Sequence, residues 1–277
     1  MNVTWEGGPP PKASDITALG WVRMLLRGAT IITVIVVGLC LLLPLRLIER
    51  PLFGLARPWT PWITQTVCRL ALLLLGLRLV RRGAPMRGQG AVVANHSSWL
   101  DIFVLNASDR VFFVSKSEVA HWPGIGVLAR ATGTLFIARD RAKARAQTDQ
   151  FRERLSAGQR LLFFPEGTST DGLRVLTFKS TLFAAFFAPS LRDQMAVQPV
   201  SVTYHAPKGG DIRTYGWWGD MEFGNHLLTT LALARQGWVE VVYHRAIAVS
   251  DMPDRKALAA AAEKQVREGH ALASDRG

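Results

Sequence analysis

Asn95-His96-Ser97-Ser98-Trp99-Leu100-Asp101 follows the apolar run Ala91-Val92-Val93-Ala94. A short apolar run that ends in a polar cluster reads as a buried strand delivering a histidine to its end, with Ser97 or Ser98 placed to cap a helix that follows. A neutral imidazole is suited to take a proton from a hydroxyl near neutral pH. A carboxylate about one helical turn away can hold its other ring nitrogen. His96 and Asp101 are therefore candidate catalytic residues. They make two members of a triad, but the chain carries no Gly-x-Ser-x-Gly elbow and no cysteine signature to supply a third. The nucleophile is left to the substrate. On these residues alone, a histidine that merely closes a strand fits as well.

Outward from this stretch, apolar runs alternate with helical patterns. The expected strands are 91–94, 111–114, 134–138, 161–164, 197–203 and 239–242. The expected helices are 124–131, 141–157, 178–189 and 254–268, the last an Ala-rich, solvated surface helix ahead of a frayed end from His270. Such alternation predicts an α/β domain with a mostly parallel sheet flanked by helices, in which sites gather at the carboxyl ends of strands.

Three further segments, in order, bear on the chemistry. Gly133-Thr134-Leu135-Phe136-Ile137-Ala138-Arg139 is followed by Phe164-Pro165-Glu166-Gly167-Thr168 and then by Val197-Gln198-Pro199-Val200. Together with Asn95-His96 and Asp101, they resemble the four motifs of the glycerolipid acyltransferase family that includes the bacterial 1-acylglycerol-3-phosphate acyltransferases. The resemblance covers roughly residues 83–249. It implies transfer of an acyl group from a thioester, acyl-CoA or acyl-carrier protein, to a free hydroxyl of a lysolipid. His96 would deprotonate that hydroxyl for direct attack on the thioester carbonyl, and Asp101 would orient His96 and stabilise the imidazolium. No resident cofactor and no metal are expected; a site of His96, Asp101 and Glu166 lacks a second histidine at ligand spacing.

The resemblance also places the acceptor. Arg139, at a strand end, would clamp a phosphate, although it also opens the charged run Arg139-Asp140-Arg141-Ala142-Lys143. Glu166, Gly167 and Thr168 would meet the glycerol part or order the pocket, with Gly167 permitting close backbone approach. Lys116 and Lys179 are further phosphate candidates. One departure concerns the substrate: many phosphatidate-forming members carry Arg directly after Glu-Gly-Thr, whereas Ser169 stands here. Lysophosphatidate is the main expected acceptor, and a lyso-ornithine lipid is the alternative. A lipid hydrolase, with water in place of the acceptor, and a non-catalytic membrane-binding protein are the rivals from other classes.

Composition points to a bilayer. The 277 residues are 49% hydrophobic and carry a formal net charge of +12, and mean hydropathy is +0.15. The basic residues are scattered through apolar sequence without a nucleic-acid motif, so the implied partners are anionic lipid and a phosphate-bearing acyl donor, not nucleic acid. Residues 28–45 are uncharged and just long enough to cover a hydrocarbon core of about 30 Å. Residues 58–80 set Trp59, Trp62, Arg69 and Arg78 among leucines, which suits an interfacial helix. One span plus an interfacial helix, or a re-entrant pair, both fit. Cys40 and Cys68 read as small membrane-facing hydrophobes, and Trp217-Trp218-Gly219 as either core or a lipid-facing wall. Arginines are denser after the first apolar segment than before it, which predicts an inner-membrane protein with its catalytic domain facing the cytoplasm. The expected organisation is a flexible tail (1–20), membrane anchor or interfacial helices (21–82), a catalytic domain (83–250) and a C-terminal helix and tail (251–277).

Overall fold

The first apolar segment lies inside a longer helix. In the computed structural model, which describes residues 5–11, 16–138 and 144–276, α1 (Ala18–Phe53) runs for 36 residues. At about 1.5 Å per residue that is about 54 Å, well beyond a hydrocarbon core of about 30 Å. Thr17 caps it, its Oγ1 accepting from the Gly20 N–H at 3.2 Å. Few of its side chains are buried, and Leu25 and Leu47 are 63% and 78% exposed. The chain then turns back into α2 (Thr60–Leu75). The hairpin is closed by Glu49, whose buried carboxylate accepts from the Trp59 and Thr60 N–H groups at 2.8 and 3.1 Å and from Thr60 Oγ1 at 2.6 Å. An anion set on the exposed N–H groups that begin a helix satisfies donors that have no partner within it.

The rest is one mixed sheet. Its strands are β1 (Arg78–Arg82), β2 (Gly90–Ala94), β3 (Phe112–Lys116), β4 (Leu135–Ile137), β5 (Leu161–Phe163), β6 (Ala196–His205), β7 (Trp238–Tyr243) and β8 (Ile247–Ala248), in the order β1-β7-β6-β2-β5-β3-β4 with β8 on β6. β6, β2, β5, β3 and β4 are parallel neighbours, whereas β7 and β8 run antiparallel to β6. This is the expected α/β class. All six expected strands form; β1 and β8 are additional. β1, which the boundary at residue 82 assigned to the anchor, pairs with β7. Three of its five residues are arginines, Arg78, Arg81 and Arg82, which hides it from an apolar-run criterion.

Alternation along β2 divides the core. Ala91 and Val93 face one layer, with α5 (Ala144–Ser156) and α7 (Arg255–Ser274), and Val92 and Ala94 face the other, with α2, α3 (Asp101–Ser108) and α6 (Phe223–Ala232). α4 (Ile125–Thr132) joins β3 to β4.

Four expectations are corrected. The helix expected at 178–189 is a 3-10 turn over Leu182–Phe187, because Phe183 and Phe186, three apart, are both fully buried and a three-residue period puts them on one face. α7 is not a solvated helix with a frayed end: it buries Leu258, Ala262, Val266, His270 and Ala273 and reaches Ser274. Cys68 is buried, whereas Cys40 is exposed. Residues 5–11 lie on the loop after Glu166 instead of trailing away, as described below. α6, with Gly224, Asn225 and two threonines, was missed because its composition disfavours a helix.

Candidate active site

The parallel order explains why distant motifs meet. β2, β5, β3 and β4 point the same way, so their carboxyl ends share one edge of the sheet. His96 follows β2, Phe164 to Thr168 follow β5, and Lys116 ends β3, exposed. Arg139 lies outside the described residues; β4, which precedes it, ends on this same edge.

Asn95 fixes the end of β2. Its side-chain amide donates to Val202 O and accepts from Val202 N, both at 2.8 Å, tying the strand to β6. His96 then turns out of the sheet with its ring stacked 4.0 Å from Phe164. Nδ1 lies 2.7 Å from Asp101 Oδ2. The same carboxylate oxygen accepts the Ser97 and Ser98 N–H groups at 2.9 and 3.1 Å, and Oδ1 accepts the Tyr204 hydroxyl at 2.7 Å. An oxygen that already receives two amide donors is an acceptor, so Nδ1 is the donor in this contact and the lone pair of the neutral imidazole falls on Nε2. Ser98, one of the two expected caps, does serve the start of α3: its Oγ accepts the Leu100 N–H at 3.3 Å, while the Asp101 carboxylate holds the amides of Ser97 and Ser98.

Tyr204 was not singled out by the sequence, although it sits four residues after the fourth motif on β6. Burial first, then the Asp101 charge, push its hydroxyl well above the ordinary range, so it stays a neutral donor.

Glu166 is buried at 2% exposure. Its two oxygens accept the main-chain N–H groups of His96 and Leu176, each at 2.8 Å. Burial lifts its carboxyl to about 8, aided by the charge of Asp101 and opposed by the two N–H donors. Gly167 has φ 74°, and Lys179 Nζ would lie 2.8 Å from a Cβ built there; the turn needs glycine. Lys179 is thus beside Gly167, with its own N–H on Pro165 O at 3.0 Å. Thr168 Oγ1 accepts the Trp5 N–H at 3.3 Å. α7 braces this loop, Glu263 accepting the Phe178 N–H at 2.9 Å and His270 Nε2 meeting Gly172 O at 3.0 Å.

His96, Trp99, Phe164 and Trp217 line a cavity of about 480 Å³, within the roughly 300–1,000 Å³ usual for small-ligand sites. It continues between α1, α2, α3 and α4 past Ile31, Ile35, Val67, Ala71 and Phe103, and its lining is almost wholly apolar. Trp99 is held by His226, whose Nδ1 accepts the indole N–H at 2.8 Å. Both open readings of Trp217-Trp218 apply, one to each residue: Trp217 lines the cavity and Trp218 is buried.

Comparison with known proteins agrees with this geometry. A family model described as Acyltransferase matches residues 78–203. A lyso-ornithine lipid O-acyltransferase of Rhodobacter capsulatus is 57% identical over 265 residues, 96% of each chain. A 1-acyl-sn-glycerol-3-phosphate acyltransferase of Neisseria gonorrhoeae is 41% identical over 116 residues, 41% of this chain and 45% of that one. The crystal structure of the 1-acyl-sn-glycerophosphate acyltransferase PlsC from Thermotoga maritima has the same fold, with a TM-score of 0.63 over 92% of this chain and 98% of that one at 20% identity. With a histidine that lines an apolar cavity and is held by a buried carboxylate behind it, and with 57% identity to a lyso-ornithine lipid O-acyltransferase along nearly its whole length, the chain belongs to the acyltransferase family that includes the lyso-ornithine lipid and 1-acyl-sn-glycerol-3-phosphate O-acyltransferases.

Proposed function

We propose that this acyltransferase moves a fatty acyl group from an acyl thioester to the free hydroxyl of a lyso-ornithine lipid at the cytoplasmic face of a bacterial inner membrane. The observation that carries the chemistry is the His96 Nδ1 to Asp101 contact of 2.7 Å, which leaves Nε2 as base beside the cavity. His96 Nε2 takes the acceptor's hydroxyl proton while that oxygen bonds to the thioester carbonyl carbon. Collapse of the tetrahedral adduct breaks the C–S bond, and the departing thiolate takes the proton from the imidazolium. Ester and thiol result, and no acyl-enzyme or resident cofactor takes part.

The apolar cavity suits a fatty acyl chain. The acceptor follows from two features: the relative that spans nearly the whole chain is named for lyso-ornithine lipid, and Ser169 stands where a phosphate-binding arginine was expected. Lysophosphatidate is the second reading. The Neisseria relative favours it, as do Lys116 at the end of β3 and Lys179 beside Gly167.

The hairpin of α1 and α2 is proposed to lie in one leaflet. Near the start of α1, Arg23 donates to Ala232 O at 3.0 Å, and Arg27 to Leu231 O and Leu233 O at 2.9 and 2.7 Å. Beyond its end, Arg57 donates to Ala131 O at 3.1 Å. A helix tied at both ends to one domain cannot place those ends on opposite sides of a bilayer. Exposed leucines, with Trp21, Trp59 and Trp62, would enter the acyl and headgroup boundary.

The test is acyl transfer by purified protein in lipid vesicles, wild type against His96→Ala. Lyso-ornithine lipid and lysophosphatidate are offered separately, each with acyl-CoA and with acyl-carrier protein. Product from lyso-ornithine lipid that disappears in His96→Ala supports the proposal. Product from lysophosphatidate alone moves the assignment to phosphatidate synthesis, and free fatty acid without transfer means a hydrolase.

A further inference from the structure

The N-terminal segment 5–11 lies over the loop that follows Glu166. The Trp5 N–H reaches Thr168 Oγ1 at 3.3 Å, the Trp218 indole N–H donates to Gly8 O at 3.2 Å, and Arg213 donates to Pro9 O at 3.1 Å. The Trp5 and Trp218 rings are 6.3 Å apart. Each carries a guanidinium: Arg174 lies 5.1 Å from the Trp5 centroid and Arg213 5.9 Å from that of Trp218. Arg174 is also bonded to both oxygens of Asp171, at 3.2 and 3.0 Å, and Asp171 is 5% exposed. This loop abuts the catalytic histidine, since Thr170 N donates to His96 O at 3.0 Å.

We propose that Thr168, Asp171 and Arg174, covered by Trp5, form the subsite for the acceptor's headgroup, and that it selects a zwitterion carrying both a carboxylate and an ammonium. The inference deepens the lyso-ornithine reading and rests on it. An indole face attracts cations; Arg174 already lies against Trp5 and on Asp171, and a headgroup ammonium joins it at the Asp171 carboxylate once Trp5 lifts. Arg174 spends Nε and Nη2 on Asp171, and its remaining Nη1 edge is the one that receives a headgroup carboxylate. A phosphate monoester, by contrast, brings up to two negative charges to an Asp171–Arg174 pair whose own charges cancel, and finds a buried serine at 169 where a second cation would be needed. Thr168 anchors the cover: its hydroxyl is already engaged by Trp5, so segment 5–11 must lift for the headgroup to seat and then close over it.

The experiment measures KM and kcat for acceptor and donor separately, using the full-length protein in vesicles. Trp5→Ala is expected to raise the KM for lyso-ornithine lipid roughly tenfold and to leave donor KM and kcat within about twofold, with Trp5→Phe restoring most of the loss. Arg213→Gln, which loosens the segment at its far end without touching the subsite, is expected to shift the same KM by a smaller factor. Asp171→Asn is expected to lower the KM for lysophosphatidate relative to lyso-ornithine lipid. Unchanged acceptor KM in both Trp5→Ala and Arg213→Gln, with wild type active on lyso-ornithine lipid, overturns the subsite alone. Equal changes in donor and acceptor KM also overturn it, because they mark a general structural role. Wild type that uses only lysophosphatidate overturns the underlying acceptor assignment, and is seen before any variant is made.

Discussion

Oε1 of Glu166 accepts the main-chain N–H of His96 at 2.8 Å, while Oε2 accepts that of Leu176 at the same distance. The glutamate of the third motif is therefore committed to backbone, and through it the loop after β5 holds the residue after β2. Glu166→Gln replaces one of the two acceptors by a donor that faces an N–H. The expected outcome is a fall in kcat of roughly 10- to 100-fold, the scale of a misplaced catalytic group, with both KM values within about twofold. A raised acceptor KM at unchanged kcat would instead mean that the carboxylate touches substrate.

The same carboxyl gives a pH signature. Burial lifts it from an ordinary 4.5 to about 8, so the folded protein keeps a proton that the unfolded chain has released. Its contribution to stability is fully present below pH 4.5 and is lost as pH rises through about 8. The thermal unfolding midpoint in detergent should fall across this window in wild type. In Glu166→Gln that slope should flatten by the share of one proton; equal slopes in the two proteins would refute the protonated carboxyl.

Asp101 sets the tautomer of His96 by receiving Nδ1–H together with two amides. Asp101→Asn offers the imidazole a donor on one side, and kcat should drop by about 10³- to 10⁴-fold, as when a triad histidine is held in the wrong tautomer. Tyr204→Phe removes only the bond to Oδ1. A hydrogen bond to a charged group is worth about 1.5–3 kcal/mol, so kcat should fall by roughly 10- to 100-fold, less than for Asp101→Asn. Steady-state kinetics at saturating acceptor would rank the two.

Ile35 lines the same cavity from α1, on a different element from His96. Ile35→Trp fills volume there and leaves His96 and Asp101 unchanged. Transfer of long acyl chains should decline at least about tenfold relative to short ones, as expected when a ligand's methylenes lose their apolar site at about 0.8 kcal/mol each. Measuring kcat/KM over a series of acyl-CoA chain lengths checks this. A uniform loss at every length would mean that the chain lies elsewhere.

What the sequence alone determined were the local features. His96 and Asp101 are five residues apart, so one strand end and one helical turn bring them together whatever surrounds them. The six apolar strands and the long N-terminal apolar segment are likewise patterns within short windows, set by side-chain period and by burial. The tertiary structure decided the rest, because the partners are far apart in the chain. Tyr204 meets Asp101 only because β6 lies beside β2. Glu166 reaches the His96 backbone from 70 residues away, and Trp5 reaches Thr168 from 163 away. α7 looked solvated because its alanines give a weak apolar stripe, yet small residues are what allow close packing on β6. Glu49 carries no signal in its own window, and its role appears only when α2 folds back and places bare N–H groups against it. Hydrogen bonds and packing between residues distant in sequence carry no local period, so they can be read only once the chain is folded.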